Sequence, residues 1–459
     1  MSDPLLNHDT IAAVATAPGR GAIGIIRISG PEALAIAARL FRGPQDPKEM
    51  AAGRMAHGYL EAEGIRLDEV LCLVMRAPKS YTGEDVVEFH CHGGPIPLRL
   101  VLSAVLREGA RPAAPGEFTR RAFLAGRLDL AQAEAVADLI ASETELAARA
   151  ALAQLEGGLS HELGALRRKL AEQMARLEAA IDFADEEDVP ADLPAELAGA
   201  LRAAEDELGR LIEKAEQGRR FREGARVVIA GRPNVGKSTL MNALLRADRV
   251  IVTDSPGTTR DVVEDMIVLG QIPIRLFDTA GLREGGSAAE RIGVTRARDI
   301  IATADLVLFM LDGSVSLSSE DRALISEVKS PCRLVVNKSD LPAVVTAKEI
   351  EELATRPALR VSALRGDGLS ELEKAMADQL LAGASSQETP LITNLRHAQA
   401  LQSARASLQR AWLAHQQGLS PEFIVSDLRL ALEALGRITG ETATEEILDI
   451  IFSRFCVGK

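Results

Sequence analysis

At 459 residues the chain exceeds what one ordinary core supports, so two to four domains are expected. A hydrophobic share of 47% with 26% charged is a soluble globular mix, and an aromatic share of 3% beside abundant alanine and leucine favours helices with Ala/Leu seams. The 53 basic and 66 acidic residues give a net charge of −13, which excludes a broadly basic surface and leaves any nucleic-acid contact to a local patch.

The opening "MSDPLLNHDTIAAVATAPGR" has no basic n-region and no arginine before Arg20, which argues against a signal or transit peptide. Residues 1–118 read as a mixed α/β domain, in which the short apolar strands "IGIIRIS", "VLCLVM" and "DVVEFHC" alternate with turn-rich pieces such as "APKSYTGED" and "CHGGP". Within it "HCHGG" invites a zinc reading for His90, Cys91 and His92, but no second ligand cluster accompanies them and alternate strand residues face opposite ways. Residues 119–220 change texture to long Ala/Leu/Glu/Arg stretches with helical spacing, and "DEEDVPADL" (Asp185–Leu193) is a polar break within this bundle. Strands alternating with helices occupy 221–382, "LAGASSQETP" is a linker, and helices resume over 383–459. The expected fold class is therefore α+β multidomain, with an α/β unit inserted into a discontinuous helical domain. Apolar runs such as "LVLFML" are too short to span a bilayer, and Cys72, Cys91, Cys332 and Cys456 form no CxxC pair. A cytoplasmic chain with free thiols, Cys72 and Cys332 in the core, follows.

The inserted unit carries the strongest chemistry. "ARVVIAGRPNVGKSTLMNALL" runs from a β-rich segment through a GxxxxGKS loop (Gly231–Ser238) into a helix. Glycines let successive N–H groups turn toward phosphate oxygens at the positive end of that helix. Asn234, Val235, Gly236, Lys237, Ser238 and Thr239 are thus expected GTP contacts, Lys237 toward the terminal phosphates and Ser238 toward Mg²⁺. "FDTAG" ends a second strand. Asp278 there suits magnesium through water, and Thr279, Ala280 and the N–H of Gly281 face the γ-phosphate. Asn337, Lys338 and Asp340 of "LVVNKSD" follow another strand, where an aspartate accepts both N–H groups of guanine's edge. Ser362, Ala363 and Leu364 supply backbone amides for the guanine oxygen. Between the first two motifs, Thr253, Asp254, Ser255, Pro256, Gly257, Thr258 and Thr259 form a switch loop whose threonine completes the magnesium shell. Ordered motifs on strand ends of an α/β sheet point to a Ras-like P-loop GTP-binding domain.

Ras-type enzymes carry a water-orienting glutamine after DxxG. Here Leu282 occupies that place and cannot bond to water. Arg283, Glu284, Glu290 or Arg291 on the following segment, or a monovalent cation held by Asn234, are the alternatives for that work.

These motifs and both flanks resemble the tRNA-modification GTPase MnmE (TrmE) family. The resemblance runs through "DTIAAVATAPGRGAIGIIRISG", "SYTGEDVVEFHCHGGP", "RPAAPGEFTRRAFLAGRLDLAQAEAVADLI", "IVTDSPGTTRD", "DTAGLRE", "ERIGV", "ITGE" and the terminal "IFSRFCVGK". It implies an N-terminal folate-binding-like domain that pairs with its copy in a homodimer. It also implies a K⁺-dependent GTPase whose two GTPase domains approach across the dimer. With the FAD-dependent partner GidA (MnmG), such proteins install an aminomethyl-type group at carbon 5 of the wobble uridine of certain tRNAs. The one-carbon unit comes from a tetrahydrofolate derivative (5,10-methylene- or 5-formyl-tetrahydrofolate). By position the resemblance assigns K⁺ to Asn234, Thr253, Ser255 and Thr258, and Mg²⁺ to Ser238 and Thr259. Ser255 stands where other members carry an apolar residue. Glu290 becomes the water-orienting acid, and Arg27, Glu88, Arg127 and Lys459 the folate contacts. Arg127 replaces a lysine of the relative compared, exchanging a point charge for a bidentate group.

Two other classes compete. A ribosome-assembly GTPase calls for a basic RNA-binding module, and a dynamin-like GTPase for a membrane-binding patch; neither stands out in the sequence. At the chain's end, Thr442 and Glu445 have capping-box spacing, so a helix is expected to start there. Ile447, Leu448, Ile451, Phe452 and Phe455 share its inner face. That packing holds Lys459 at a definite place, with Cys456 either near the folate chemistry or simply packed.

Overall fold

The computed structural model describes residues 9–182, 193–247, 264–269, 272–278, 300–353, 358–380, 392 and 394–459. The chain divides into two compact units, Met1–Ala137 with Gln154–Ala204 and Ser403–Lys459, and Asp138–Ala153 with Glu205–Gln402. The first unit thus joins segments from both sides of the second.

The first unit opens with a seven-stranded sheet of β1 (Ile11–Val14), β2 (Ile23–Ser29), β3 (Phe41–Arg42), β4 (Arg54–Ala62), β5 (Ile65–Met75), β6 (Val86–His92) and β7 (Arg111–Pro112). The spatial order is β3-β4-β5-β6-β2-β1-β7. Helices α1 (Ala33–Leu40) and α2 (Pro95–Arg107) cover one face. Strand alternation decides what each face carries. Ile26 and Ile28 of β2 join Val87, Phe89 and Cys91 of β6 in the core beneath the helices. Arg27 and Glu88, opposite one another in register, turn to the other face. There Ile11, Ala13, Ala113 and Phe118 form a small second core, partly under α3 (Glu117–Leu124). Full burial of a side chain such as Phe89 or Phe118 contributes about 1.5–3 kcal/mol. "HCHGG" obeys the same alternation. Cys91 is buried, while His90 bonds Glu88 and His92 bonds Asp68. Burial pushes the thiols of Cys72 and Cys91 up to about 12.

The remaining helices of the chain are α4 (Leu130–Ile140), α5 (Glu145–Leu155), α6 (Gly158–Asp182), α7 (Leu193–Glu223), α8 (Lys237–Ala247), α9 (Ser319–Glu327), α10 (Ala347–Leu353), α11 (Leu369–Leu380), α12 (Leu395–Gln416), α13 (Pro421–Thr439) and α14 (Glu445–Phe452). The polar break expected at 185–193 lies outside the described residues except for Leu193, where α7 begins. In the first unit α13 packs along α6, with Arg429 paired to Glu178 at 2.9 Å. Leu448, Ile451, Phe452 and Phe455 meet Leu130, Ala133 and Val136 of α4, with Ile447 partly buried beside them. The expected start of the last helix needs correction. Its N-cap is Thr444 rather than Thr442, because Thr442 Oγ1 donates instead to the Glu433 carbonyl of α13 at 3.1 Å.

The second unit is built on a six-stranded sheet of β8 (Ala225–Gly231), β9 (Glu264–Leu269), β10 (Ile272–Asp278), β11 (Leu306–Asp312), β12 (Cys332–Asn337) and β13 (Leu359–Arg360). The order is β13-β12-β11-β8-β10-β9, with only the β9–β10 pair antiparallel. A parallel sheet with crossover helices is buried on both faces, and its strands read as continuous apolar runs. "LVLFML" of β11 is such a run, and separate cores lie on the two sides of the sheet. Cys332 is half-buried rather than fully in the core, and burial raises its thiol to about 11. Among the described residues no helix is long and apolar enough to cross a membrane.

Candidate functional site

In the second unit the chain leaves β8 at Gly231 and enters α8 at Lys237. Asn234 takes a left-handed conformation, φ 64°, which asparagine tolerates better than most residues. Gly236 sits at φ 98°, and a Cβ there would lie 2.3 Å from Asn337 Nδ2, so only glycine fits. Buried Lys237 donates to the carbonyls of Gly231 (3.0 Å) and Arg232 (2.8 Å). Ser238 Oγ donates to Asp278 Oδ2 at 2.6 Å, which joins the ends of the phosphate loop and of β10.

The end expected from the sequence to read the base is held just as directly. Asn337 Nδ2 donates to the Val235 carbonyl at 2.8 Å, and Asn337 Oδ1 accepts from the Ala363 amide at 3.0 Å. One buried amide thus ties three motifs together. Lys338, at φ 66°, places its ammonium 2.5 Å from Asp312 Oδ2. Burial alone would raise the Asp312 carboxyl, but Lys338 and Ser314 outweigh it and hold it below 3.8. Asp340 accepts from Ser362 Oγ at 2.7 Å, and that bond lowers its carboxyl from the ordinary value. Leu364 projects outward, 79% exposed, beside the buried Ala363. The structure therefore links Asn234–Ser238, Asp278, Asn337–Asp340 and Ser362–Ala363 by hydrogen bonds at the carboxyl ends of the strands. Thr253, Asp254, Ser255, Pro256, Gly257, Thr258, Thr259, Thr279, Ala280, Gly281, Leu282 and Glu290 lie outside the described residues.

A second cluster lies in the first unit. Arg27 Nε donates to Glu88 Oε1 at 2.8 Å, and its guanidinium lies 5.5 Å from the Tyr81 ring centre and 5.6 Å from that of Phe118. The end of the chain reaches this point. Arg27 Nη1 approaches the Gly458 carbonyl at 3.4 Å. Gly458, at φ 98°, is pressed so closely on β1 that a Cβ would stand 2.2 Å from the Val14 carbonyl. Burial lowers the Lys459 ammonium, and nearby Arg27 adds to this while Glu88 opposes it. Arg127 bonds differently, Nη1 donating to the Pro78 carbonyl at 3.3 Å. Cys456 is exposed, so its thiol is no core residue, and its carbonyl accepts from the Gly116 amide at 3.4 Å.

Sequence reading overlooked several partners. Asp312 in the second unit and Tyr81 and Phe118 in the first belong to these clusters without any motif spacing to announce them.

The family model described as "MnmE helical domain" matches residues 130–456, and "GTP-binding protein TrmE N-terminus" matches residues 10–127. The tRNA modification GTPase MnmE of Symbiobacterium thermophilum is 48% identical over 99% of this chain and 100% of its own length. This chain belongs to the MnmE family of tRNA modification GTPases. The MnmE of Heliobacterium modesticaldum is 47% identical over 98% of this chain and 99% of its own length. A solved Era structure from Aquifex aeolicus with GDP and AlF4⁻ is 29% identical over 40% of this chain and 66% of that one, with a TM-score of 0.28. Membership in the MnmE family makes the chain a GTP hydrolase taking part in tRNA modification.

Proposed function

We propose that this MnmE-family member is a K⁺-dependent GTPase that works as a homodimer with GidA (MnmG). Together they install an aminomethyl-type or carboxymethylaminomethyl group at carbon 5 of the wobble uridine of certain tRNAs, in the cytoplasm, with a tetrahydrofolate one-carbon unit; FAD enters through the partner. In this reading residues 1–118 bind folate and dimerise, 119–220 and 383–459 are the helical domain, and 221–382 bind GTP.

The docked tail carries the proposal. Its end lies against Arg27 and Glu88, where a guanidinium, a carboxylate, an ammonium and two aromatic rings converge. Rings and cations of this kind suit a flat pterin and the carboxylates of a folate. Arg27, Glu88 and Lys459 bind and orient it, and Arg127 meets its outer charge. Cys456, exposed three residues before Lys459, is assigned to the tRNA or folate chemistry.

The GTP-contacting residues are those of the motifs, from Asn234 to Leu364. The Ser238 hydroxyl and Asp278 carboxylate are hard oxygen donors set 2.6 Å apart, which fits Mg²⁺ bound together with substrate phosphates. Ser238 and Thr259 hold that ion, and when bound it neutralises phosphate charge. The left-handed Asn234 stands on the phosphate loop as the described member of the K⁺ set, with Thr253, Ser255 and Thr258 completing it. Glu290 orients the attacking water in place of the absent glutamine.

Two measurements test the reading. GTP turnover is expected to be fast in K⁺ and at least about tenfold slower in Na⁺. The purified protein should bind 5-formyltetrahydrofolate, with affinity reduced in Lys459→Ala while GTP turnover is unchanged. Equal rates in the two salts together with no folate binding would sink the proposal.

A further inference from the structure

Arg232 occupies the first variable position of the phosphate loop, where the motif specifies no residue. Its side chain leaves the loop for the start of α9. Nη1 donates to Ser318 Oγ at 2.9 Å and lies 3.3 Å from Asp321 Oδ2, while Nε is 3.2 Å from Glu320 Oε2. Ser318 and Asp321 form a capping box. The Asp321 amide donates to Ser318 Oγ at 3.1 Å, and Asp321 Oδ2 accepts from the Ser318 amide at 3.0 Å. A buried carboxylate needs a charged partner, and Asp321 is only 5% exposed. Arg232 supplies the charge. The same residue's carbonyl accepts from Lys237 at 2.8 Å, so the group that neutralises the cap also fixes one of the two oxygens that hold the phosphate-loop lysine.

The segment from Asp312 to Asp321 is pinned at its other end as well. Asp312 holds Lys338, and the Gly313 amide donates to the Asn337 carbonyl at 2.9 Å. One short stretch of chain is thereby bonded to the base-reading loop at its start and to the phosphate loop at its finish.

We infer that the Arg232–Asp321 pair is a positioning element for the phosphate loop, tying the placement of Lys237 to the first turn of α9. Both are assigned to act through the loop backbone, by way of the Arg232 carbonyl that accepts from Lys237. The inference rests on the reading of Lys237 as a phosphate ligand.

A double-mutant cycle on the full chain separates positioning from bulk stability. Affinity for a fluorescent GDP analogue and the KM and kcat for GTP would be measured in Arg232→Met, Asp321→Asn and the combined variant. Each single change is expected to weaken nucleotide binding and raise KM about tenfold, the scale of one charge-assisted hydrogen bond. At saturating GTP, kcat should stay within about twofold. The combined variant should be no weaker than either single one, because both remove the same connection. Arg232→Lys, which retains a charge, should recover part of the affinity, and it decides the matter if Asp321→Asn fails to fold. Unchanged affinity in Arg232→Met, or losses that simply multiply, would overturn the inference. Lys237→Ala is the reference. If it too binds nucleotide normally, the phosphate-loop reading fails; if it alone loses binding, only the positioning role fails.

Discussion

Gly236 shows how a single missing side chain sets the site. Its φ of 98° and the 2.3 Å gap that a Cβ would leave to Asn337 Nδ2 combine backbone strain with a collision against a residue that itself bonds Val235 and Ala363. Gly236→Ala is therefore expected to cost at least about tenfold in GTP affinity, since a backbone held in that region costs roughly 1–3 kcal/mol. Circular dichroism should stay close to that of the parent, and a variant that still binds GTP normally would contradict the geometry. At this scale the sequence is most readable, because GxxxxGKS and NKxD are runs of neighbours whose chemistry does not wait for the fold. Asp312 was not readable. It follows an apolar strand like any other aspartate, and its pairing with Lys338 across 26 residues appears only when β11 and β12 lie side by side.

Among the elements, α3 is joined to the sheet by charge as much as by packing. Arg121, 7% exposed, bonds Asp9, Glu84 and Glu117, and Arg111 bonds Asp9 and Glu117 as well. Burial alone would raise the Asp9 and Glu117 carboxyls, but the hydrogen bonds from Arg111 and Arg121 outweigh it and hold both below their ordinary values of 3.8 and 4.5. Lowered carboxyls contribute stability that is fully present above those ordinary values and lost as pH falls through the depressed ones. Thermal melting of the protein should therefore drop as pH falls below 4.5 and then 3.8, the ordinary values of Glu117 and Asp9, with a shallower drop in Arg121→Met. At neutral pH Arg121→Met should destabilise by about 2 kcal/mol, less than for a fully buried pair because Asp9 and Glu84 keep contact with water. A pH profile identical in both proteins would count against the network. Helical periodicity located α14 and its apolar face correctly, yet misplaced the cap by two residues, because Thr442 finds an acceptor on α13 that no local spacing can reveal.

For the whole molecule, each unit carries cores of its own. Among the described residues, the six-stranded sheet is buried on both faces by residues between Ala225 and Leu380, joined by the partly buried Leu146 alone from outside that span. An isolated fragment of residues 221–382 is accordingly expected to fold and bind GDP with affinity within about tenfold of the full chain. Far-ultraviolet circular dichroism and nucleotide titration check this; an unfolded fragment would show that the sheet depends on the flanking helices. The first unit has the opposite character. Its sheet and its last helix come from the two ends of the chain, and Arg27 meets Gly458 across 431 positions.

Taken alone, the sequence determined the nucleotide chemistry, the strand and helix textures and the apolar face of the final helix. Each of these is written in residues a few places apart, where spacing alone dictates direction. Tertiary structure decided what depends on distant partners: the Asn337 tie between phosphate and base ends, the Arg232 connection to α9, the Arg121 network, and the closing of the tail over Arg27. Those pairings arise because strand order and register bring remote positions to one face, and no local pattern specifies which remote position that will be.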